Sequence, residues 1–292
     1  NDGKKGIEDN LGRLEEIHRH CTLCPRGCGV DRTAGKIGSC GVGPVPLVTS
    51  AGPHHGEEPE LVGRGGSGTI FFGGCNLHCL FCQNADISQN ATGRPTEPEE
   101  LAHLMLRLEM TGCENVNLVT PTHFAPPLAR AIGMAREMGL RVPVVWNCGG
   151  YESLEVIELL DGIVEIYMPD FKYGPEAPAG ELSQAPDYFE RCSKVVGEMH
   201  RQVGTLQTDD RGVARKGVLI RHLILPDNLA DSRNALHFIA EELSTDTYVN
   251  IMAQYHPCHR AAEHKGMNRR PTLAELNDVR RYARSLGLHR GF

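Results

Sequence analysis

Periodicity in this 292-residue sequence predicts an α/β protein with a parallel sheet, preceded by a cysteine-rich extension. Six short apolar runs alternate with helical patterns from Gly68 onward, the signature of parallel strands joined by crossover helices. Seven of the eleven cysteines fall before residue 83, in two groups on either side of a Gly- and Pro-rich stretch. Residues 1–67 therefore read as a cysteine-rich segment with a connector, and residues 68–292 as the α/β body. The six units share no sequence period, so a repeat array is excluded. An open sheet and a partial or full barrel both satisfy the periodicity. In either, reactive groups belong on loops after the strands' C-terminal ends.

The elements follow in order. Between Gly41 and Gly68 no helical or strand period is sustained, and Pro44, Pro46, Pro53, Pro59 and a closing set of glycines mark an irregular connector. Strand-like runs lie near Thr69–Phe72, Asn115–Val119, Val142–Trp146, Ile163–Met168, Val218–Leu225 and Tyr248–Met252. The first helix carries Leu101, Leu104, Met105 and Leu108 on one face, with Thr96 and Glu99 at capping-box spacing before it. A second stripe, Leu128, Ile132 and Ala135, ends near Gly139. Leu154–Leu160, Tyr188–Val203 and Ser232–Leu243 supply three more helices. In the last, Thr272 and Glu275 form a second capping box before Leu273, Leu276, Val279 and Leu286.

Composition narrows the function classes. With 33 Gly and 18 Pro the chain is below the share that marks low-complexity sequence, and its length buries a sizeable core. No run approaches ~20 apolar residues and the start, Asn1–Glu8, is polar, so neither a membrane span nor a signal peptide is expected. A net charge of −7 without a basic block argues against nucleic acid. Eleven cysteines in a chain too large to need disulfide staples point to metal or redox chemistry, in the reducing cytoplasm.

Cys75, Cys79 and Cys82 follow the first strand in GTIFFGGCNLHCLFCQN. Three thiolates from one loop suit a [4Fe–4S] cluster whose fourth iron stays open, since a structural zinc wants four protein ligands. Free buried thiols, or a zinc knuckle borrowing His78, are the alternatives. The C-x3-C-x2-C spacing with the aromatic Phe81 before the last cysteine resembles the signature of radical S-adenosylmethionine enzymes. Over Gly68–Phe292 the chain looks most like the pyruvate formate-lyase-activating enzyme group and its uncharacterised relatives.

That resemblance implies a partial (β/α)6 barrel, a [4Fe–4S] cluster and S-adenosylmethionine chelating the open iron. It implies an oxidoreductase that cleaves the cofactor reductively to a 5′-deoxyadenosyl radical, which abstracts hydrogen from a substrate. It places Phe81 near the adenine. The family's Gly-Gly-Glu after the second strand is replaced here by Thr120-Pro121-Thr122-His123, so Thr120, Thr122 or His123 is the candidate for the methionine amino group. Asn147 after the third strand, Asp170 and Lys172 after the fourth and His256 after the last match positions that face the cofactor. Asp170 and Lys172 are two apart, so both point to one face of an extended strand end. Arg221 interrupts an apolar strand and needs an anionic partner, either a carboxylate of cofactor or substrate or a structural one.

Ahead of the body, Cys21, Cys24, Cys28 and Cys40 have the count of a closed site, either zinc or an auxiliary iron–sulfur cluster, and related radical enzymes carry a similar run. Cys113, Cys148, Cys192 and Cys258 read as buried packing thiols, Cys258 being the partial exception in its polar surroundings. Expected partners are an electron donor such as a flavodoxin or ferredoxin and a hydrogen donor. That donor is either a glycyl-radical enzyme, as for an activase, or a peptide or small molecule. A non-catalytic iron–sulfur or zinc module is the reading from another class. It does not call for Asp170, Lys172 and Arg221 at strand ends.

Overall fold

The computed structural model describes residues 2–292; Asn1, the first residue of the polar start, lies outside the described residues. Nine strands are formed among the described residues: β1 (Leu47–His54), β2 (Ser67–Phe72), β3 (Arg94–Pro95), β4 (Val116–Val119), β5 (Val144–Cys148), β6 (Ile166–Pro169), β7 (Gln207–Thr208), β8 (Ala214–Leu223) and β9 (Tyr248–Met252). β2, β4, β5, β6, β8 and β9 are parallel neighbours in that order. Each of the six apolar runs is thus a strand of one mostly parallel sheet. Helices Pro98–Met110, Ala125–Glu137, Leu154–Leu159, Tyr188–Val203 and Ser232–Phe238 connect them, and Leu273–Ser285 follows β9.

Burial explains why the runs are legible. Every residue of β5 and of β6 is buried. A parallel strand covered on both faces has no solvent side to alternate with, so it reads as a continuous apolar run. Polar groups are then expelled to the strand ends.

Helix starts divide into one that follows its sequence signal and one that does not. At Leu273–Ser285 the full capping box forms, with Glu275 N–H donating to the Thr272 hydroxyl and Thr272 N–H donating back to the Glu275 carboxylate. The box expected from Thr96 and Glu99 is absent. The helix begins at Pro98, whose fixed φ suits the first turn, and the Thr96 hydroxyl donates instead to the Arg94 carbonyl at 2.9 Å. The helix from Ser232 passes into a wider-wound turn, Ile239–Leu243, completing the expected span.

The connector is a second correction. Part of Gly41–Gly68 is β1, which pairs antiparallel along β2 with an irregularity between Val48 and Ser50. A helix, Asp2–Ile17, precedes it, which the sequence reading left unassigned. One continuous core takes in Leu14, Leu23 and Val42 together with Ile70, Leu118 and Trp146. Among the described residues β9 pairs with β8 and not with β2. The segment after β1 reaches β9 through side chains instead: Asn250 donates to Glu58 at 2.8 Å and the Tyr248 hydroxyl to Glu60 at 2.6 Å. Among the described residues no helix is long and apolar enough to cross a membrane.

Gly65 sits where this packing leaves no room. A Cβ there would lie 1.7 Å from the Gly112 carbonyl oxygen. Gly133, inside the helix Ala125–Glu137, has nothing within 4 Å of an added Cβ. Urea denaturation should show Gly65→Ala destabilised by about 1–3 kcal/mol. Gly133→Ala should gain up to ~1 kcal/mol from the lost backbone freedom of the unfolded chain. Equal effects of the two would contradict the packing described.

Candidate functional site

The three cysteines of the first loop open into one cavity of about 280 Å³ at the C-terminal ends of the strands. Thr120 after β4, Asn147 and Cys148 of β5, Asp170 and Lys172 after β6, Arg221 of β8, and Met252 and Gln254 at β9 complete its wall. A larger hollow of about 500 Å³ between the N-terminal helix and the Pro126 end of its neighbour contains none of the cysteines. The chemistry therefore concentrates at the strand ends.

The loop is held by close backbone passage. Gly74 has φ of +83°, and a Cβ there would lie 2.7 Å from the Cys40 carbonyl oxygen. Leu77 N–H points at Cys75 Sγ at 3.4 Å, and the Ser183 hydroxyl donates to Cys79 Sγ at 2.9 Å. That hydroxyl also meets the Tyr173 hydroxyl at 2.6 Å, so two buried hydroxyls run in series to the sulfur. His78 Nδ1 meets the Gln89 amide oxygen at 2.9 Å. Burial pushes the Cys75 and Cys79 thiols above their ordinary range. A bound cationic cluster would supply the charge that ionises them.

Opposite the cysteines lies a charged network. Asp170 accepts from Lys172 Nζ at 2.6 Å and from Arg221 Nε at 2.9 Å. Arg221 also donates to the Asn147 side-chain oxygen at 2.8 Å and approaches Glu57 at 3.8 Å. Burial alone would raise the Asp170 carboxyl; Arg221 and then Lys172 outweigh it and hold the carboxyl below the usual range. Desolvation opposes the charge on Lys172 and Arg221, but Asp170 keeps both protonated. The anionic partner that Arg221 requires is thus supplied within the protein.

The Thr-Pro-Thr-His stretch is split by the fold. Thr120 faces the cavity with φ of +60°, a costly conformation for a β-branched residue, and its N–H donates to the Asn147 carbonyl at 2.9 Å. Thr122 and His123 do not line the cavity. The Thr122 hydroxyl donates to Glu152 at 2.7 Å, and His123 Nε2 meets the Gly73 carbonyl at 2.9 Å. Burial lowers His123 to about 4, so its ring is neutral. Both side chains, expected as candidates for the methionine amino group, are turned onto neighbouring strand ends instead of the cavity. Phe81 lines the cavity and packs edge-on to Tyr255, with ring centroids 5.9 Å apart. His256 lies off the cavity wall, beside Gln83 at 3.5 Å.

Three of the N-terminal cysteines, Cys21, Cys28 and Cys40, lie about Arg32. Its guanidinium is 1% exposed and donates to Cys21 Sγ at 3.0 Å and to Cys40 Sγ at 2.8 Å. Burial pushes Cys24 up to about 12, with Cys40, Glu152 and Cys21 adding to it. Among the described residues, no three His, Cys, Asp or Glu side chains are grouped closely enough to hold a metal ion as they stand. Cys113, Cys148 and Cys192 are buried, whereas Cys258 is half-buried and donates to the Phe81 carbonyl at 3.2 Å.

Sequence reasoning did not single out Ser183, Glu57, Glu152 or Arg26. Glu57 lies in the connector, far in sequence from the strand ends it meets. Arg26, in the N-terminal cysteine run, donates to the Asn76 carbonyl at 2.8 Å, inside the other cysteine loop. Glu152 carried a signal: it closes Gly149-Gly150-Tyr151-Glu152, directly after a strand.

Residues 69–179 match the radical SAM superfamily. An uncharacterised protein of Methanocaldococcus jannaschii is 32% identical over 284 residues, covering 94% of this chain and 77% of its own. A second uncharacterised protein of the same organism is 24% identical over 275 residues, covering 86% of this chain and 74% of its own.

Glu152 offers a pH test. Burial first raises its carboxyl, and the hydrogen bond from Thr122 only partly offsets this, leaving it at about 7. The folded state therefore keeps a proton that the unfolded chain releases near 4.5. Its contribution to stability is full below that value and is lost as pH rises to about 7. Denaturation from pH 5 to 8 should show that fall in the native protein and a flatter profile in Glu152→Gln; identical profiles would rule the assignment out.

Proposed function

Because the chain belongs to the radical SAM superfamily, we propose that Cys75, Cys79 and Cys82 hold a [4Fe–4S] cluster at which S-adenosylmethionine is reductively cleaved. The observation that carries this is that those three thiols open together into one cavity walled by charged and polar strand ends. When bound, the cluster supplies the electron that converts the cofactor into methionine and a 5′-deoxyadenosyl radical, which then abstracts hydrogen from the substrate. In this reading the six parallel strands form a partial barrel, with residues 1–67 as an appended cysteine-rich segment.

The chain's own residues have separable tasks. Asp170, fixed by Lys172 and Arg221, presents its remaining acceptor capacity to ribose hydroxyls. Asn147 and Arg221 lie across from the cysteines, where they meet the polar groups of the methionine part. Thr120 stands where the family's carboxylate motif is missing, so its hydroxyl and backbone carbonyl accept from the amino group. Phe81 lies along the adenine. Ser183 acts through Cys79: a hydroxyl donating to a cluster thiolate stabilises the more negative reduced state and raises its potential.

The hydrogen donor enters from the open side of the cavity, beside Gln83, Asn84 and Gln254. The altered motif at Thr120-Pro121-Thr122-His123 sets the chain apart from activating enzymes and favours a peptide or small molecule over a glycyl-radical enzyme. Electrons come from a flavodoxin- or ferredoxin-like donor.

Anaerobically reconstituted protein with dithionite and S-adenosylmethionine should release 5′-deoxyadenosine, and Cys79→Ala should not. No product above that variant would sink the enzyme reading. Ser183→Ala should move the cluster's midpoint potential to a more negative value in an EPR-monitored titration. An unchanged potential would remove Ser183 from this role.

A further inference from the structure

Arg32 presents a problem that the radical chemistry does not solve. It is 1% exposed, and among the described residues its side-chain bonds go to two sulfurs, Cys21 and Cys40, and two carbonyls, Val42 and Gly43, with no carboxylate among them. A buried guanidinium with no counter-charge is costly, so the sulfurs must carry the negative charge. Neutral thiols are weak acceptors; thiolates bound to metal are strong ones. Cys28 lies against the same group: a Cβ on Gly38 would be 2.7 Å from Arg32 Nη2 and 3.2 Å from Cys28 Sγ.

We propose that Cys21, Cys24, Cys28 and Cys40 bind a second iron–sulfur cluster, with Arg32 as its buried counter-ion, placed against the first cysteine loop. Cys21 and Cys40 meet the guanidinium and Cys28 lies beside it, and their placement against the first cysteine loop favours an electron-carrying centre over one zinc. Four protein thiolates complete every iron of a cubane and leave none open, so this centre carries electrons and binds no cofactor.

Its position supports that role. The Cys40 carbonyl packs on Gly74, the residue before Cys75. Arg26, two residues from Cys24 and from Cys28, donates to the carbonyls of Asn76, Gln184 and Ser183, binding the two cysteine loops into one body. As a relay, the second cluster passes one electron to the first and is itself oxidised by one. A low-potential one-electron donor protein restores it. The relay role rests on the proposed function, whereas the cluster itself does not.

The test is iron and sulfide content with EPR of the anaerobically reconstituted, reduced protein. The full chain should hold about eight irons, two [4Fe–4S] clusters. Adding S-adenosylmethionine should change one EPR component and leave the other unchanged. The triple variant Cys75→Ala, Cys79→Ala, Cys82→Ala should keep about half the iron and only the insensitive component. Cys21→Ala with Cys28→Ala should keep only the sensitive one. About four irons with a single, cofactor-sensitive component in the native chain overturns the second cluster and leaves the proposed function standing. Zinc in place of the second set of irons also overturns it. Eight irons with neither component responding to the cofactor keeps the second cluster and removes the radical reading. The native chain's two components decide the matter where a variant does not fold.

Discussion

Burial of a parallel sheet on both faces is the constraint from which the rest of this molecule follows. β5 and β6 are covered along their whole length, so no polar side chain is tolerated within them except at the ends. Asn147, Asp170, Lys172 and Arg221 are where the apolar rule relaxes, and parallel pairing in chain order brings those relaxations to one end of the sheet. The Asp170–Arg221 pairing makes this explicit, since the two residues are also partners in the strand ladder. A cavity with convergent charges is the result.

Within that cavity the charges are balanced before any ligand arrives. Asp170 is shared by two cations, and Arg221 has both Asp170 and Glu57 in reach. Burial holds the Glu57 carboxyl above the ordinary range even with Arg221 opposite. A preorganised set of this kind presents fixed hydrogen-bonding groups and does not have to reorganise around a ligand. The cysteine loop on the facing side is fixed by different means, through the left-handed Gly74, the Ser183 hydroxyl and the Arg26 guanidinium.

Arg26, Arg32 and Cys40 make the N-terminal segment part of the same construction. Leu14, Leu23 and Val42 share the core of the sheet, and Glu58 and Glu60 reach β9 from the other edge. A segment that looks appended in sequence is therefore built into the framework that holds the cysteine loop.

What the sequence alone determined were the features that local physics encodes. The six strands appear as apolar runs because both faces are buried. The capping box at Thr272 and Glu275 appears because its two partners are three residues apart. The three thiols of the first loop appear because only three residues, then two, separate cysteines that one loop can bring together. Tertiary structure decided what depends on distant partners. Thr96 lost its cap to Pro98, Thr122 and His123 turned away from the cavity, and β1 formed only because β2 offered an edge to pair with. Glu57, Glu152, Ser183 and Arg26 gained their roles from contacts across 30 residues or more. No local pattern records such contacts, because the free energy that places these side chains lies in groups the chain brings together only on folding.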